Sequence, residues 1–221
     1  QAIGATSDIN VNGVTVSSTT GNLQARAGRS ILTNTATGTT NEFVTSGAGT
    51  LLLDAGDSIG VTANRIDVSV PTIAAMSAGA STAGDIFINQ VSGGGALTIG
   101  TATGLDGRAN LSGIVTQANN NDITVVAQNG SLTLTQAVTA HGSGNVALQA
   151  IGATSDINVN GVTVSSTTGN LQARAGRSIL TSTLTGTTNE FVTTGAGTLL
   201  LDAGDSIGVA ANRIDVSVPT I

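Results

Sequence analysis

Short runs in which apolar and polar residues alternate recur along this chain, and each run is introduced by Gly or Asn. They are GNLQARA from Gly21, GTLLLDA from Gly49, GDIFINQ from Gly84, NDITVVA from Asn121 and GNVALQA from Gly144. Because alternate side chains of a strand point to opposite faces, these runs predict strands with one buried face. Gly, Ser, Thr and Asn separate the runs, and these residues favour turns.

The chain also contains an internal repeat of 148 residues. Residues 1–73 align with residues 149–221 without a gap and differ only at the pairs Asn34/Ser182, Ala36/Leu184, Ser46/Thr194 and Thr62/Ala210. Residues 1–148 thus form one full unit, and residues 149–221 form half of a second. Self-similarity at a fixed period is typical of proteins whose units stack on their neighbours. We therefore interpret 1–221 as one continuous segment of a longer tandem array.

The spacing of the runs predicts an all-β parallel β-helix, also called a β-solenoid. Successive leading runs lie 28, 35, 37, 23 and 25 residues apart before the cycle restarts at Gly169. Further short strand-like runs, such as SDINVNG and GSLTLTQ, lie between them. Two or three short strands per coil, joined by small polar corners without helical segments, are typical of this fold. A β-sandwich is the competing architecture, but sandwiches seldom place near-identical strand motifs side by side.

Composition narrows the range of functions. The net charge is −6, and the chain has three Phe, no Trp, no Tyr and no Cys. A basic patch and stacking aromatic residues, which nucleic-acid binding needs, are both missing, so we predict no nucleic-acid partner. The longest apolar runs fall far short of the roughly 20 residues of a membrane helix, so we predict no membrane insertion. The lack of Cys removes thiol chemistry and disulfides.

Aligning one coil with the next predicts structural ion pairs. Matching Gly21 to Gly49 places the arginines of GNLQARAGRS opposite the aspartates of GTLLLDAGDS, and the same match recurs in the second copy. Stacked coils lie about 4.8 Å apart, so opposite charges at one outward position attract each other. The predicted pairs are Arg26 with Asp54, Arg29 with Asp57, Arg174 with Asp202, and Arg177 with Asp205.

The amino-acid sequence of these repeats resembles that of the coils of filamentous haemagglutinin-type adhesins, which Gram-negative bacteria export by two-partner secretion. The resemblance rests on GNLQARAGRSIL, GTLLLDAGDSIG, ANRIDVSV, GDIFINQ, GALTIGT and GSLTLTQA. It implies a right-handed β-helix that forms the shaft of a bacterial surface filament outside the cell. It also implies export of the parent protein through an outer-membrane transporter, and weak attachment to glycans or proteins of a host cell or another surface.

The sequence offers little for catalysis or cofactor binding. His141, the single histidine, lies in the turn-like segment TAHGSGN, where we interpret it as a corner residue and not a metal ligand or base. The carboxylates are dispersed, so we predict no catalytic, metal or cofactor site. The alternative function is a carbohydrate-acting or carbohydrate-binding β-helix, which would need carboxylates that converge on one cleft.

Two coils are longer than the rest, and they carry outward apolar residues. Leu52 and Phe87 are predicted to lie on adjacent coils, while the segments that begin at Pro71 and Thr103 should leave the barrel as loops. Either a loop covers the two side chains, or they form an exposed apolar patch that binds a ligand or partner. Unpaired strand edges at the two ends of the segment also predict end-to-end self-association.

Overall fold

The computed structural model describes residues 1–79 and 83–221, which form 24 strands and one 3-10 helix, Ser92–Gly94. In chain order the strands are β1 (Ile9–Asn10), β2 (Val16–Ser18), β3 (Leu23–Ala27), β4 (Ile31–Leu32), β5 (Phe43–Thr45), β6 (Thr50–Ala55), β7 (Ile66–Ser69), β8 (Thr72–Ser77), β9 (Ile86–Gln90), β10 (Leu97–Ile99), β11 (Thr101–Ala102), β12 (Leu111–Ser112), β13 (Ile114–Thr116), β14 (Ile123–Ala127), β15 (Leu132–Leu134), β16 (Val138–Ala140), β17 (Val146–Ala150), β18 (Ile157–Val159), β19 (Val164–Ser166), β20 (Leu171–Ala175), β21 (Ile179–Leu180), β22 (Phe191–Thr193), β23 (Leu199–Ala203) and β24 (Val216–Ser217).

These strands stack in parallel as a β-solenoid of about eight turns, which confirms the predicted fold class. Two strands, β11 and β12, pair with each other antiparallel and form a hairpin. The inward side chains of the turns, most of them Ile, Leu, Val and Ala, build one continuous apolar core. Burial of this core is the main force that holds the turns together.

Each regular turn has one long strand on one side of the solenoid and two short strands on the other. Side 1 is the sheet that contains β3, β6, β8, β10, β13, β15, β16, β18, β19, β21, β22 and β24. Side 2 is the sheet that contains β2, β5, β7, β9, β14, β17, β20 and β23, and the β1–β4 pair joins it through bridges from Ile31 to Ile59 and from Ile59 to Ile86.

The long strands change sides between β8 and β9. The long strands β3, β6 and β8 lie on side 1, whereas β9, β14, β17, β20 and β23 lie on side 2. Two short strands stack on the single strand β8, since β10 pairs with its first half and β13 with its second half. In the same way β9 stacks on both Ile59 and β7. Two long strands that follow each other directly therefore add a half turn to the winding.

The predicted coil boundaries in this region were wrong. The run from Gly49 does not stack beneath the run from Gly84, because β6 pairs with β8, which lies 22 residues later along the chain (Thr50 with Thr72). The segment from Pro71, predicted as a loop, forms β8, while Ala80–Thr82 lie outside the described residues. The sequence TIAAMS gives no alternating strand signal, because it lacks a leading Gly and has apolar residues on both faces. The segment from Thr103 does leave the barrel, as the tip of the β11–β12 hairpin.

A ladder of side-chain oxygens at one corner explains why long strands follow Gly-Asn or a similar pair. The Asp122 Oδ1 accepts the Asn145 backbone N–H at 2.7 Å, and the Asn145 Oδ1 accepts the Asn170 N–H at 2.9 Å. The Asn170 Oδ1 continues the ladder by accepting the Thr198 N–H at 3.0 Å. Each bond satisfies a backbone donor at a bend where the sheet ladder is interrupted.

Candidate functional site

The β11–β12 hairpin folds back over the outward face of the long strands on side 1. Its backbone is held by side chains from two lower turns. The Thr103 N–H donates to the Thr50 Oγ1 at 3.1 Å, and the Leu105 N–H donates to the Gln24 Oε1 at 2.8 Å. The hairpin thus spans the surface from β8 down to β3 and covers part of the first repeat unit.

Under this hairpin lies a small second apolar cluster. Leu52 is 4% exposed and packs with Ala74 and Ala102, and Leu111 of the hairpin closes the cluster. The exposed apolar patch predicted from Leu52 and Phe87 is therefore wrong. Phe87 is 8% exposed, and it lies on side 2, where it pairs with Thr124 and not with the strand of Leu52. For Leu52, the alternative in which a loop covers the side chain is confirmed.

A cleft of about 240 Å³ remains between the hairpin and the long strands. It brings together residues that are distant in sequence: Gln24, Arg26, Leu52, Asp54, Met76, Arg108, Ala109, Asn110 and Leu111. The lining combines apolar side chains such as Leu52 and Leu111 with two guanidinium groups and one carboxylate. We take this cleft, with the ion pair inside it, as the candidate site of the molecule.

The predicted ion pair Arg26–Asp54 is confirmed within this cleft. The two residues are direct neighbours in the β3–β6 ladder, and the Arg26 Nε lies 2.9 Å from the Asp54 Oδ2. Their side chains are only 34% and 20% exposed. Burial raises the pKa of the Asp54 carboxyl, whereas the positive charge of Arg26 lowers it to a smaller extent.

The second copy contains the equivalent ion pair in a solvent-exposed position. The Arg174 Nε lies 3.1 Å from the Asp202 Oδ2, as predicted, but these side chains are 66% and 53% exposed. No hairpin lies over this pair among the described residues. The two copies therefore offer one interaction in two environments within a single chain.

We expect Arg26→Ala to destabilise the fold more than Arg174→Ala. Loss of Arg26 leaves a half-buried carboxylate without its ion-pair partner, which should cost about 1–2 kcal/mol. Loss of Arg174 removes an exposed pair and should cost about 0–1 kcal/mol. Thermal unfolding followed by circular dichroism compares the two variants. Equal losses of stability would contradict the difference in environment.

The other predicted pairs were wrong, because Arg29 and Arg177 form their ion pairs with the turn below and not with the turn above. Arg29 makes a bidentate ion pair with Asp8, which includes a 2.7 Å bond from Nε to Oδ1. The negative charge of Asp57 raises the pKa of the Arg29 guanidinium to a smaller extent than Asp8 does. The Asp8 Oδ1 also accepts the Ser30 N–H at 3.0 Å, and this bond orients the carboxylate toward the guanidinium.

The second copy repeats this arrangement. Arg177 forms the bidentate pair with Asp156, and Asp205 contributes only through its charge. The hydrogen bond from the arginine is the main cause that lowers the pKa of Asp156, as it lowers that of Asp8. The recurring triplets SDI and RSI, which precede stacked strands, were the sequence signal for this pairing.

Three fully buried carboxylates, Glu42, Asp67 and Glu190, carry no signal in the sequence pattern. Glu42 and Asp67 are each fully buried, and the Glu42 Oε2 accepts the Asp67 N–H at 2.6 Å. The Glu42 Oε1 accepts the Thr33 hydroxyl at 2.9 Å, and the Asp67 Oδ1 accepts from the Asn89 amide at 2.6 Å. Asp67 also accepts from the Gly38 N–H. These bonds hold the loop of residues 33–41 against the solenoid.

The pH dependence of stability should show a maximum in mildly acidic solution. Burial raises the pKa of Glu42 and of Asp67, so the stabilisation from their protonated forms is lost as pH rises through their folded pKa values. Arginine lowers the pKa of Asp8 and of Asp156, so that stabilisation is lost as pH falls through their folded values.

Urea unfolding between pH 3 and pH 8 measures this profile. We expect the double variant Glu42→Gln, Asp67→Asn to flatten the decline toward neutral pH, because the two amides stay uncharged. Asp106→Asn, at an exposed position of the hairpin, is the matched control and should leave the profile unchanged. A wild-type stability that rises steadily up to pH 8 would contradict the assignment.

The remaining polar candidates give no further cluster. His141 is exposed at a corner, where its backbone N–H donates to the Thr116 Oγ1 at 3.0 Å. Within residues 1–79 and 83–221, no three or more His, Asp or Glu side chains are grouped so that they could hold a metal ion. No helix in the described part of the chain is long and apolar enough to cross a membrane.

Comparison with known proteins gave no relative. A scan against protein-family models, a search of curated proteins and a search of solved structures each found no significant match.

Proposed function

We propose that this chain is a structural shaft segment of a large secreted bacterial surface adhesin. In this role it extends an adhesive or effector tip away from the cell and contributes at most weak attachment of its own. The parent protein would pass through an outer-membrane transporter and fold outside the cell. The observation that carries the proposal is the continuous stacking of a near-identical repeat into one solenoid with a single core.

The hydrogen bonds and ion pairs that polar side chains make with neighbouring turns support a structural role. Asp8, Asp156, Glu42 and Asp67 hold neighbouring turns or loops in place through hydrogen bonds and ion pairs. The Asn and Asp ladder at the corner serves the same purpose. In a rod of many turns, such contacts between neighbouring turns stabilise one register over the alternatives. The charged residues thus act mainly on neighbouring coils.

The spacer role can be tested by displaying the chain on the surface of bacterial cells. Chains that carry one, two or four repeat units would be anchored on a bacterial surface beneath the same terminal ligand-binding module. We expect capture of receptor-coated beads to increase with the number of units, because a longer rod carries the module beyond the surface layer. The chain without a module should capture no beads.

The same chain without the module should also be applied to an array of glycans. Saturable binding to one glycan class would contradict a purely structural role and would favour the carbohydrate-binding alternative. Capture that is independent of the number of units would contradict the spacer role. The module alone, anchored directly at the surface, is the control for its accessibility.

A further inference from the structure

Equivalent residues of the two repeat copies lie on opposite sides of the solenoid. The strand β3 of the first copy belongs to side 1, whereas β20, which has the identical sequence LQARA, belongs to side 2. Likewise β2 is on side 2 and its equivalent β19 is on side 1. Sequence identity therefore does not give these segments the same direction in space.

The strand pairings give the winding of one unit. Two turns separate β3 from β8 through β6, and three turns separate β9 from β20 through β14 and β17. The passage from β8 directly to β9 adds a half turn. The 148-residue unit thus makes about five and a half turns, which at about 4.8 Å per turn is a rise of about 26 Å.

We propose that a tandem array of this unit presents its hairpin cleft alternately on opposite sides of the rod. This inference rests on the proposed shaft, in which further units continue the repeat. Each unit ends a half turn out of phase with its start, so the next hairpin faces the other way. Clefts on the same side are then two units, or about 53 Å, apart along the axis.

The alternation determines which clefts one flat surface can reach. A flat surface can contact only every second hairpin, whereas the other hairpins face away from it. The rod therefore carries equivalent clefts on two opposite sides, with neighbouring units facing opposite directions. An array of whole turns would instead line up all clefts on one side.

Disulfide trapping in this chain, which has no native Cys, tests the half turn. The pair Met76→Cys/Val115→Cys joins direct neighbours of β8 and β13, and both side chains are partly exposed. Adjacent strands bring such residues within the Cα distance that a disulfide requires. We expect nearly complete cross-linking on mild oxidation, seen as a faster band on a non-reducing gel and by peptide mass. Arg26→Cys/Asp54→Cys is the positive control, since both winding schemes make these residues neighbours.

The competing scheme has its own diagnostic pair. If the stretch from Gly49 to Gly84 were one whole turn, Asp54 would stack directly against Asn89. We expect Asp54→Cys/Asn89→Cys to stay reduced, because the two residues lie on opposite sides. Cross-linking of this pair, or failure of Met76→Cys/Val115→Cys in a folded chain, would overturn the alternation. Neither result would contradict the shaft proposal, which is tested separately by bead capture and by the length of the rod.

Discussion

Alanine at Gly176 should destabilise the solenoid by about 3 kcal/mol or more, because overpacking at a backbone contact cannot relax by a rotamer change. A methyl group there would lie 2.1 Å from the Gly152 carbonyl oxygen of the turn below. The glycine is also tied to that turn by a 2.8 Å hydrogen bond from its N–H to the Ala150 carbonyl. The two turns would have to separate, which would break the bond.

The same close contact with a carbonyl oxygen of the turn below recurs after other long strands that end in Ala followed by Gly. A methyl group at Gly56 would lie 2.0 Å from the Gly28 carbonyl oxygen, and one at Gly204 would lie 2.2 Å from the Gly176 carbonyl oxygen. These glycines therefore form two separate columns, one on each side of the solenoid, that let successive turns approach closely. Their requirement comes from the close approach of backbone atoms and not from a left-handed φ angle.

Gly93→Ala is the matched control for Gly176→Ala. Nothing lies within 4 Å of a methyl group at Gly93, which is exposed in the 3-10 helix. We expect its melting temperature to stay close to that of the wild type. For a domain of this size, the loss at Gly176 corresponds to a decrease of about 6–12 °C. A Gly176→Ala chain that melts like Gly93→Ala would show that the corner is more open than described.

Leu52→Ala should destabilise the chain by about 2 kcal/mol, and Leu200→Ala should change stability by less than about 0.5 kcal/mol. The two leucines occupy the same position of the identical segment GTLLLDAGDSIG. Leu52 is 4% exposed beneath the hairpin, whereas Leu200 is 55% exposed. The difference arises because truncation at Leu52 leaves a cavity under Leu111, while Leu200 already contacts solvent.

Urea unfolding of the two alanine variants measures this difference. A third variant, Leu111→Ser, removes the hairpin's contribution and leaves Leu52 itself intact. We expect Leu111→Ser to increase protease cleavage within residues 103–110 before any loss of the solenoid's circular dichroism signal. Similar losses for Leu52→Ala and Leu200→Ala would contradict the burial of Leu52 by the hairpin.

The solenoid was predictable because its determinants are local and repeated. Alternation within runs such as GNLQARA shows that one face is buried, and the 148-residue repeat shows that units stack. The register Arg26 to Asp54 followed from aligning two such runs, since equal spacing on both sides of a corner fixes which residues meet. Parallel stacking preserves sequence alignment from turn to turn, and for this reason the alignment succeeded there.

The half turn was not predictable by this alignment. It depends on β8, whose apolar Ala74 faces outward because the hairpin covers that side, so the strand shows no regular alternation. For a related reason the sequence did not decide whether Leu52 is buried or exposed. The path of residues 101–112 over the surface is not encoded in their spacing. Glu42 and Asp67 are isolated in sequence, and only the folded corner brings them together.

The half turn affects how the repeat can function as a shaft. The exposed ion pair Arg174–Asp202 and the covered pair Arg26–Asp54 occupy opposite sides, although their sequences match. In the proposed array, a surface feature of one unit recurs on the opposite side of the next unit. For the proposed adhesin, this arrangement would place charge and hairpins on two opposite sides of the rod.

Small-angle X-ray scattering of this chain, and of a chain lengthened by one 148-residue unit, tests the central claim most directly. A continuous solenoid of five and a half turns per unit predicts an increase in length of about 26 Å at an unchanged cross-section. An increase in the cross-sectional radius, or a maximum dimension that grows by the width of a separate globular domain, would contradict the rod.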